Sequence, residues 1–218
     1  MCGRFSLAAP PDELVEVFDV PLPDFAVQPR YNIGPGQDAL VVGEDKRGRR
    51  LGMLRWGLVP AWAEAPGSAH ANARGESLVE TPSFREAFLR RRCLVPADGF
   101  YEWRAAEGGK APYLFRPTAG GVMALAAVWE RWERRGHEPR SGFAVLTVDA
   151  NADVAPIHHR MPVLVDRAHF SVWLDRSSEP DRLREVVAPA PPGTLSHHAV
   201  SRRVNSVRED DAGLVEPS

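Results

Sequence analysis

The sequence predicts a single domain of the α+β class, and three observations support this. A chain of 218 residues is long enough to bury a substantial core and short enough to be one domain. Its 44% hydrophobic and 26% charged residues are typical of globular proteins. Many short strand-like segments occur with a few scattered helices and no regular alternation of strand and helix, which favours α+β over a doubly wound sheet.

The N-terminal part of the chain is predicted to contain a helix, a loop and a hairpin. Residues 10–18 begin with two prolines and continue with apolar residues at helical spacing, which is typical of a proline-started amphipathic helix. Residues 21–37 are rich in proline and glycine and are expected to form an irregular loop. Two β-like runs at 39–44 and 50–56 flank the polar residues 45–49, which predicts a hairpin.

The rest of the chain is predicted to consist mainly of strands. A short helix is expected from Thr81, with Pro82 at its start. Two further helices are expected at 168–174 and 180–187. The polar, acidic end of the chain predicts a domain over residues 1–208 and a flexible tail over 209–218. Strand-like segments lie at 93–96, 100–104, 113–116, 123–129, 143–148 and 162–165.

Charge and cysteine content limit the classes of function. The chain has 27 basic and 29 acidic residues and a net charge of -2, so any surface that binds nucleic acid must be local. Two cysteines, Cys2 and Cys93, argue against a disulfide scaffold and fit a reducing compartment. The sequence has no apolar run of membrane-spanning length and no signal-peptide pattern at its start. We therefore expect a cytoplasmic protein without membrane contact.

Cys2 is the first candidate reactive residue. Removal of Met1 would leave a cysteine whose free α-amine and thiol lie on one carbon skeleton. The amine, with a pKa of about 7.7–8.0, condenses with an aldehyde, and the thiol, with a pKa of about 8.5, closes the imine to a thiazolidine. Taken alone, Cys2 is better interpreted as a small apolar residue in a first strand.

Aromatic residues mark two further segments. Residues 30–36 combine an aromatic ring, an amide and turn-forming glycines, and a structural turn explains them as well as a functional site does. Trp56 is expected to lie in the core. Trp62 lies in a loop-like context, where an indole can stack on or wedge between bases.

Polar residues mark three more segments. Residues 72–76 place an amide, a guanidinium and a carboxylate before a helix, although Glu76 could instead cap that helix. Glu102 lies among aromatic residues in a predicted strand. If it points inward, burial would raise its pKa toward neutrality and suit general acid/base chemistry; if outward, it is a surface residue. His158 and His159 precede an apolar strand, and their spacing from the cysteines matches no short-spaced zinc pattern, so we expect no metal site.

Taken in order, these segments resemble the SOS-response-associated peptidase (SRAP) family, the abasic-site-processing proteins that crosslink themselves to DNA. The resemblance spans almost the whole chain, and the ordered set of motifs is specific although each motif alone is weak. It implies one SRAP-like domain with a mainly antiparallel, barrel-like β core, a few peripheral helices and no cofactor. The matching segments are residues 2–5, 30–32, 56–60, 72–74 with Glu76, 92–96, 99–103, 158–162 and 201–205.

The resemblance also implies roles for the candidate residues. Cys2, exposed by loss of Met1, would capture the aldehyde of a ring-opened abasic site in single-stranded DNA and shield it from strand cleavage. Glu102 would be the acid/base. His158 would assist the imine stage and crosslink reversal, and Asn72 would hold the N-terminal residue or the sugar oxygen. The residues implied to contact flanking DNA are Arg4, Arg74, Arg160, Trp62 and Trp103.

Two positions depart from the family pattern. Residues 33–36 contain glycines where other residues are common, which is expected to loosen this loop. Ala63 follows Trp62 where some members have a second tryptophan, which predicts a smaller stacking surface.

Two rival interpretations of the chain remain open. The first is a cysteine-type (auto)peptidase that uses Cys2, His158 and Glu102, and lyase or crosslink-reversal activity is compatible with the same residues. The second is a nonenzymatic single-strand-binding module in which Cys2 is incidental. A one-to-one covalent adduct predicts a monomer.

Overall fold

Strands make up most of the regular structure in the computed structural model, which describes residues 2–67 and 69–218. The strands are β1 (Phe5–Leu7), β2 (Arg30–Ile33), β3 (Asp38–Asp45), β4 (Gly48–Trp56), β5 (Asn72–Arg74), β6 (Arg92–Ala97), β7 (Gly99–Ala106), β8 (Gly109–Pro117), β9 (Met123–Trp132), β10 (Arg140–Asp149), β11 (Arg160–Pro162) and β12 (Leu195–Ala199). The α-helices are α1 (Pro11–Phe18), α2 (Arg85–Arg90), α3 (Phe170–Leu174) and α4 (Pro180–Val186). Short 3-10 helices lie at Gly75–Ser77, Arg167–His169, Arg202–Asn205 and Ala212–Leu214.

The strands form two sheets. In the first sheet the order is β12-β8-β7-β1-β2, and each pairing is antiparallel. In the second, pairings link β3, β4, β10, β9 and β6 and return from β6 to β3, so these strands close into a ring. Strands β5 and β11 extend this sheet along β10, and β10 runs parallel to β4 and β5. This arrangement confirms the α+β class and the mainly antiparallel, barrel-like core.

Aromatic packing fixes the N-terminal strand to the core. The ring of Phe5 on β1 lies 5.0 Å from that of Trp56, which in turn stacks on Phe143 of β10 at 6.2 Å. All three side chains are fully buried, and Trp56 also donates its indole N–H to the Ala71 carbonyl at 2.7 Å. The prediction that Trp56 is a core residue is confirmed. Since β1 belongs to the first sheet and packs through Phe5 on Trp56 of the second, the residues that precede it have a defined position.

The sequence located most elements correctly and misplaced a few. Helix α1 begins at Pro11, and the predicted hairpin is β3–β4, paired from Asp38↔Arg55 to Asp45↔Gly48. The helix expected from Thr81 begins only at Arg85, and residues 30–33 and 195–199 form strands that were not predicted. The backbone partners of β2 and β12 lie far away in the sequence, so hydrophobic alternation within these short segments could not reveal them.

The C-terminal residues differ from the predicted flexible tail. The Asp210 carboxylate accepts hydrogen bonds from the main-chain N–H groups of Tyr31 and Asn32. Leu214 is fully buried, and the Ser218 N–H donates to the Ala199 carbonyl at 3.0 Å. Polar composition suggested fraying, but these groups find partners on β2 and β12, which join residues 209–218 to the domain.

Candidate active site

Pairing between β1 and β7 brings the N-terminus beside Glu102. Phe5 pairs with Phe100, and the Tyr101 N–H donates to the Arg4 carbonyl at 2.9 Å. Continuing this antiparallel register places Cys2 alongside residues 102–103. The Cys2 side chain is buried, with its Sγ 4.0 Å from the Arg4 carbonyl oxygen.

Glu102 points inward, which decides between the two orientations that the sequence left open. It is 2% exposed, and burial raises the pKa of its carboxyl from 4.5 to about 7. The Oε1 atom lies 3.8 Å from Nδ1 of His158. A carboxyl group with this pKa exists in both protonation states near neutral pH, as general acid/base chemistry requires.

His158 is held by the main chain of Arg160. Its Nδ1 lies 3.0 Å from the Arg160 nitrogen and 3.1 Å from the Arg160 carbonyl oxygen. Burial lowers the pKa of His158, so the neutral ring is favoured at pH values near 7. When Nδ1 accepts from the Arg160 N–H, the proton of the neutral ring is on Nε2. The exposed His159 stacks on this ring at 4.4 Å.

Cys2 is held as a thiol. Burial is the main cause that raises its pKa, and the negative charge of Glu102 raises it further. Both effects oppose a thiolate in the resting protein. Cys93 on β6 is also buried with a raised pKa, and both cysteines are free thiols.

Asn72 carries a buried acceptor. It lies on β5, where it pairs with Val145 of β10. Its Oδ1 is buried and accepts no hydrogen bond from the residues that the structure describes. Such a group costs free energy unless another donor satisfies it, so Asn72 can accept a hydrogen bond from a ligand group that reaches it.

Arg160 is buried in an intramolecular network. Its Nη1 lies 2.6 Å from Glu76 Oε1 and 2.7 Å from Asp149 Oδ1, and its Nη2 lies 2.8 Å from Glu76 Oε2. The Thr147 carbonyl accepts a further bond from Nη2. A phosphate that reached this guanidinium would have to compete with these oxygens. Glu76 lies in a 3-10 helix, and its carboxylate pairs with Arg160.

Arg4 links the start of the chain to the C-terminal segment. Its Nη1 donates to Asn32 Oδ1 and to the Val204 carbonyl, both at 2.7 Å. Its Cζ lies 5.9 Å from the ring centroid of Trp103, whose indole N–H donates to Asn205 Oδ1 at 2.7 Å. Arg4 and Trp103 therefore form one surface beside Cys2.

Gly34 contributes to this surface. A Cβ at this position would lie 3.1 Å from Val207 and 3.2 Å from Arg4 Nε, so glycine allows both to pack closely. Gly34 is thus closely packed, whereas the glycines of residues 33–36 predicted a looser loop.

Two residues predicted to contact DNA are more exposed than Arg4 and Arg160. Trp62 is 61% exposed, whereas the following Ala63 is buried and accepts the Trp132 indole N–H at 2.7 Å. Arg74, at the end of β5, is exposed and has no carboxylate partner within residues 2–67 and 69–218. Both side chains are available to a ligand.

Sequence reasoning missed the structural importance of Asn32. This buried residue accepts from Arg4 and donates from Nδ2 to the Ser206 and Glu209 carbonyls at 2.9 and 2.7 Å. In the sequence, a structural turn explained residues 30–36 as well as a functional site did. The partners come from the far end of the chain, so no local signal could have identified them.

Residues 2–67 and 69–218 contain neither a metal-binding cluster nor a membrane-spanning helix. No group of three or more histidine, cysteine, aspartate or glutamate side chains is arranged to hold a metal ion in this part of the chain. Within the same residues, no helix is long and apolar enough to cross a membrane.

Comparison with known proteins places the chain in a family. The family model described as SOS response associated peptidase (SRAP) matches residues 1–207. The abasic site processing protein YoaM of Bacillus subtilis is 35% identical over 222 residues, which cover 99% of this chain and 98% of that protein. The abasic site processing protein YedK of Escherichia coli is 27% identical, with full coverage of both chains.

Solved structures agree in fold. A protein from Bacteroides thetaiotaomicron superposes with a TM-score of 0.90 over 100% of both chains, at 21% identity. A phage-related protein from Bordetella bronchiseptica gives a TM-score of 0.73 at 29% identity, over 92% of this chain and 95% of its own. With the family model matching nearly its entire length, the chain belongs to the SOS response associated peptidase (SRAP) family.

Proposed function

We propose that this protein processes abasic sites in single-stranded DNA by forming a covalent thiazolidine between its N-terminal cysteine and the abasic aldehyde. The observation that carries the proposal is the constellation of Cys2, Glu102 and His158, in which a buried carboxyl with a pKa of about 7 lies 3.8 Å from a histidine nitrogen. Relatives named abasic site processing proteins support the same substrate.

Glu102 acts first, because an abasic deoxyribose is mostly a closed hemiacetal. The protonated carboxyl gives its proton to the ring oxygen, and the carboxylate that results takes the proton of the C1′ hydroxyl. These two transfers open the ring to an aldehyde and restore the protonated carboxyl. Burial of Glu102 is what allows it to hold a proton near pH 7.

The N-terminal cysteine then bonds to C1′ twice. The α-amine exposed by loss of Met1 adds to the aldehyde, and the carbinolamine loses water to give an imine. The thiol of Cys2 adds to the imine carbon: a C–S bond forms and the thiol proton ends on nitrogen. The net reaction joins protein and sugar and releases one water. His158, with Nδ1 facing Glu102, assists proton transfer at the imine stage and in crosslink reversal.

Asn72 and the surrounding cations position the substrate. The unsatisfied Oδ1 of Asn72 accepts a hydrogen bond from the exposed amine or from a sugar hydroxyl. Arg74, Arg4 and Arg160 contact phosphates, and each contact contributes roughly −0.7 to the slope of log affinity against log salt. Trp62 and Trp103 stack on bases without sequence preference.

The alternative activity is a cysteine peptidase built from Cys2, His158 and Glu102. Its specific support is that these three residues belong to one site. Against it, peptidase cysteines are activated by a lowered pKa, whereas burial and Glu102 raise the pKa of Cys2. The amine-first route fits this thiol better, because imine formation does not need a thiolate. A cleaved peptide in wild type, absent in Cys2→Ala, would establish the peptidase.

The central test uses a single strand with one abasic site and a denaturing gel. We expect a stable adduct with wild type and none with Cys2→Ala. Cys93→Ala is the matched control, since it removes the other buried thiol and should retain crosslinking. Equal adduct from Cys2→Ala and wild type would refute the proposal.

The role of the α-amine has a separate test. An N-terminal tag that prevents loss of Met1 should abolish the adduct, and a mass spectrum of each preparation would establish which N-terminus is present. A tagged protein that crosslinks at the normal rate would exclude the amine as the attacking group.

A further inference from the structure

A cavity outside the Cys2 site has a volume of about 310 Å³. Small-molecule sites generally occupy ~300–1,000 Å³, so this cavity has the size for one compact ligand. The apolar part of its lining includes Val41 and Leu54 of the β3–β4 hairpin, Trp129 of β9 and Leu174 of α3. None of the residues in the proposed abasic-site chemistry lines it.

Two glycines leave the floor of this cavity open. Gly43 and Gly52 lie within β3 and β4, in a register that runs without a bulge from Asp38↔Arg55 to Asp45↔Gly48. Neither has a positive φ, and a Cβ built on either meets no atom within 4 Å. Glycine weakens a strand, and backbone geometry does not require it here. Such positions often mark close approach of a ligand.

Three arginines give one side of the cavity a positive charge. Arg92 is 4% exposed, and among the described residues its guanidinium donates only to main-chain carbonyls, those of Phe88, Trp173 and Asp175. Arg90 and Arg176 are exposed and form no ion pair with the residues that the structure describes. Burial is the main cause that lowers the pKa of Arg92 to about 10; the charge of Asp175 opposes this shift, and the positive charges of Arg176 and Arg90 add to it.

The acidic residues nearby have partners of their own, although the negative charge of Asp175 also favours the protonated form of Arg92. The Asp175 carboxylate accepts from the N–H and hydroxyl of Ser177 at 2.8 and 2.7 Å. Glu44 and Asp45, which also line the cavity, are paired with Arg49 and Arg50. Arg90 and Arg176, which have no carboxylate partner within residues 2–67 and 69–218, therefore favour an anion at this wall.

We propose that this cavity binds a free nucleoside monophosphate. The planar base would lie over the floor opened by Gly43 and Gly52 and against Trp129, and the phosphate would bind Arg90 and Arg176 at the wall formed by Arg92. Guanidinium groups match phosphate in geometry and charge, and aromatic rings and apolar surface favour a planar base. The flat glycine floor favours a base over a branched side chain. The inference does not depend on abasic-site processing.

The test is calorimetric titration of the full-length protein with deoxyguanosine monophosphate, deoxyguanosine and inorganic phosphate. We expect the nucleotide to bind at least about tenfold more tightly than the nucleoside or inorganic phosphate. Only the nucleotide contacts both the glycine floor and the arginine wall. Comparable binding by inorganic phosphate would reduce the site to a general anion site and overturn the proposal. So would equal binding by an acetylated Glu-Phe dipeptide, which offers an acid and a ring without a nucleotide.

Variants locate the binding. Gly52→Val fills the floor and should abolish nucleotide binding while leaving Tm at least as high as wild type, since a β-branched residue suits a strand. Gly52→Ala should give a partial loss, and Arg176→Ala should weaken binding about tenfold. Arg182→Ala, an exposed arginine of α4, is the matched control. Unchanged binding in folded Gly52→Val would overturn the assignment.

A last experiment separates a free nucleotide from a DNA strand. An unmodified oligonucleotide without a terminal phosphate should not displace deoxyguanosine monophosphate, because the volume admits about one nucleotide. Displacement by the oligonucleotide would show that the cavity belongs to a DNA-binding path, contrary to the proposal. Neither result alters the abasic crosslinking test, which uses Cys2.

Discussion

At the scale of single residues, the fold controls where protons reside. Glu102 and His158 have neighbouring side chains, yet burial shifts their pKa values in opposite directions, up for the carboxyl and down for the imidazole. Both shifts favour neutral forms, as expected when charged groups lose hydration. Near neutral pH the site therefore holds a carboxyl group that is partly protonated, a neutral imidazole and an un-ionised Cys2 thiol.

The raised pKa of Glu102 predicts a dependence of stability on pH. Its folded pKa of about 7 exceeds the ordinary 4.5, so between these values the folded protein keeps a proton that the unfolded chain releases. Stability should therefore fall as pH rises through this window, by at most roughly 3 kcal/mol at 1.36 kcal/mol per unit. Glu102→Gln should remove this part of the slope, and urea denaturation at about pH 4 and about pH 8 would measure it.

Glu107→Gln is the matched control, because Glu107 is exposed in the β7–β8 turn. An unchanged pH slope in Glu102→Gln would contradict a buried, protonated carboxyl.

Glu102→Gln should also slow adduct formation by about 10²–10⁴-fold with little change in DNA affinity. A loss confined to DNA binding would exclude the acid/base role.

His158 has its own kinetic prediction. His158→Ala should slow both formation and reversal of the crosslink, because the variant loses the ring nitrogen that faces Glu102. Gel assays of adduct growth and of transfer to fresh DNA would measure the two rates. His159→Ala, which removes the exposed neighbour, is the comparison. Rates equal to wild type in His158→Ala would exclude it from the mechanism.

At the scale of elements, β10, β11 and the 3-10 helix at Gly75–Ser77 hold Arg160 between carboxylates. Glu76 makes two short contacts with the guanidinium, while the Asp149 side chain makes one and is 84% exposed. An exposed pair contributes little stability, so Asp149 is the partner that a phosphate would most easily replace.

Asp149→Asn should therefore strengthen binding to unmodified single-stranded DNA by about two- to fivefold at low salt, because it removes a negative charge beside Arg160. Cys2→Ala protein would allow equilibrium binding to be measured without crosslinking. Asp181→Asn, another exposed aspartate paired with an arginine, controls for net charge. Weaker binding by Asp149→Asn would contradict this prediction. It would mean that the ion pair with Asp149 holds Arg160 in the orientation that binds DNA.

At the scale of the whole molecule, the two ends of the chain support one site. Asn32 of β2 joins Arg4 to main-chain carbonyls in the C-terminal segment, and Trp103 bonds to Asn205. The surface beside Cys2 is thus built from residues about 200 positions apart in sequence. Its cationic and aromatic groups are local, in agreement with a net charge of -2.

Removal of residues 209–218 should consequently destabilise the domain by roughly 2–4 kcal/mol, since it exposes the Leu214 pocket and leaves the N–H groups bonded to Asp210 without partners. Leu214→Ala should account for about half of this loss. Chemical denaturation would measure both, with Glu216→Ala as an exposed control. A truncated protein of wild-type stability would restore the view of a flexible tail.

The sequence by itself determined the class of fold, the family and the candidate residues. Short strands with turn signals predicted the α+β class, and helix α1 and the β3–β4 hairpin followed from local spacing. The motifs that contain Cys2, Glu102 and His158 predicted the site, because reactive residue types can be recognised without coordinates.

Only the tertiary structure decided which way side chains point and which distant residues pair. A strand pattern could not tell whether Glu102 faces the core, because both orientations obey the same alternation and the answer depends on which sheet face is covered. Nor could it show that Arg160 is paired with Glu76 across 84 positions or that the C-terminal residues are packed on β2. Hydrogen bonds and charge pairs between distant segments exist only after folding, so the protonation states of the site are a property of the folded domain.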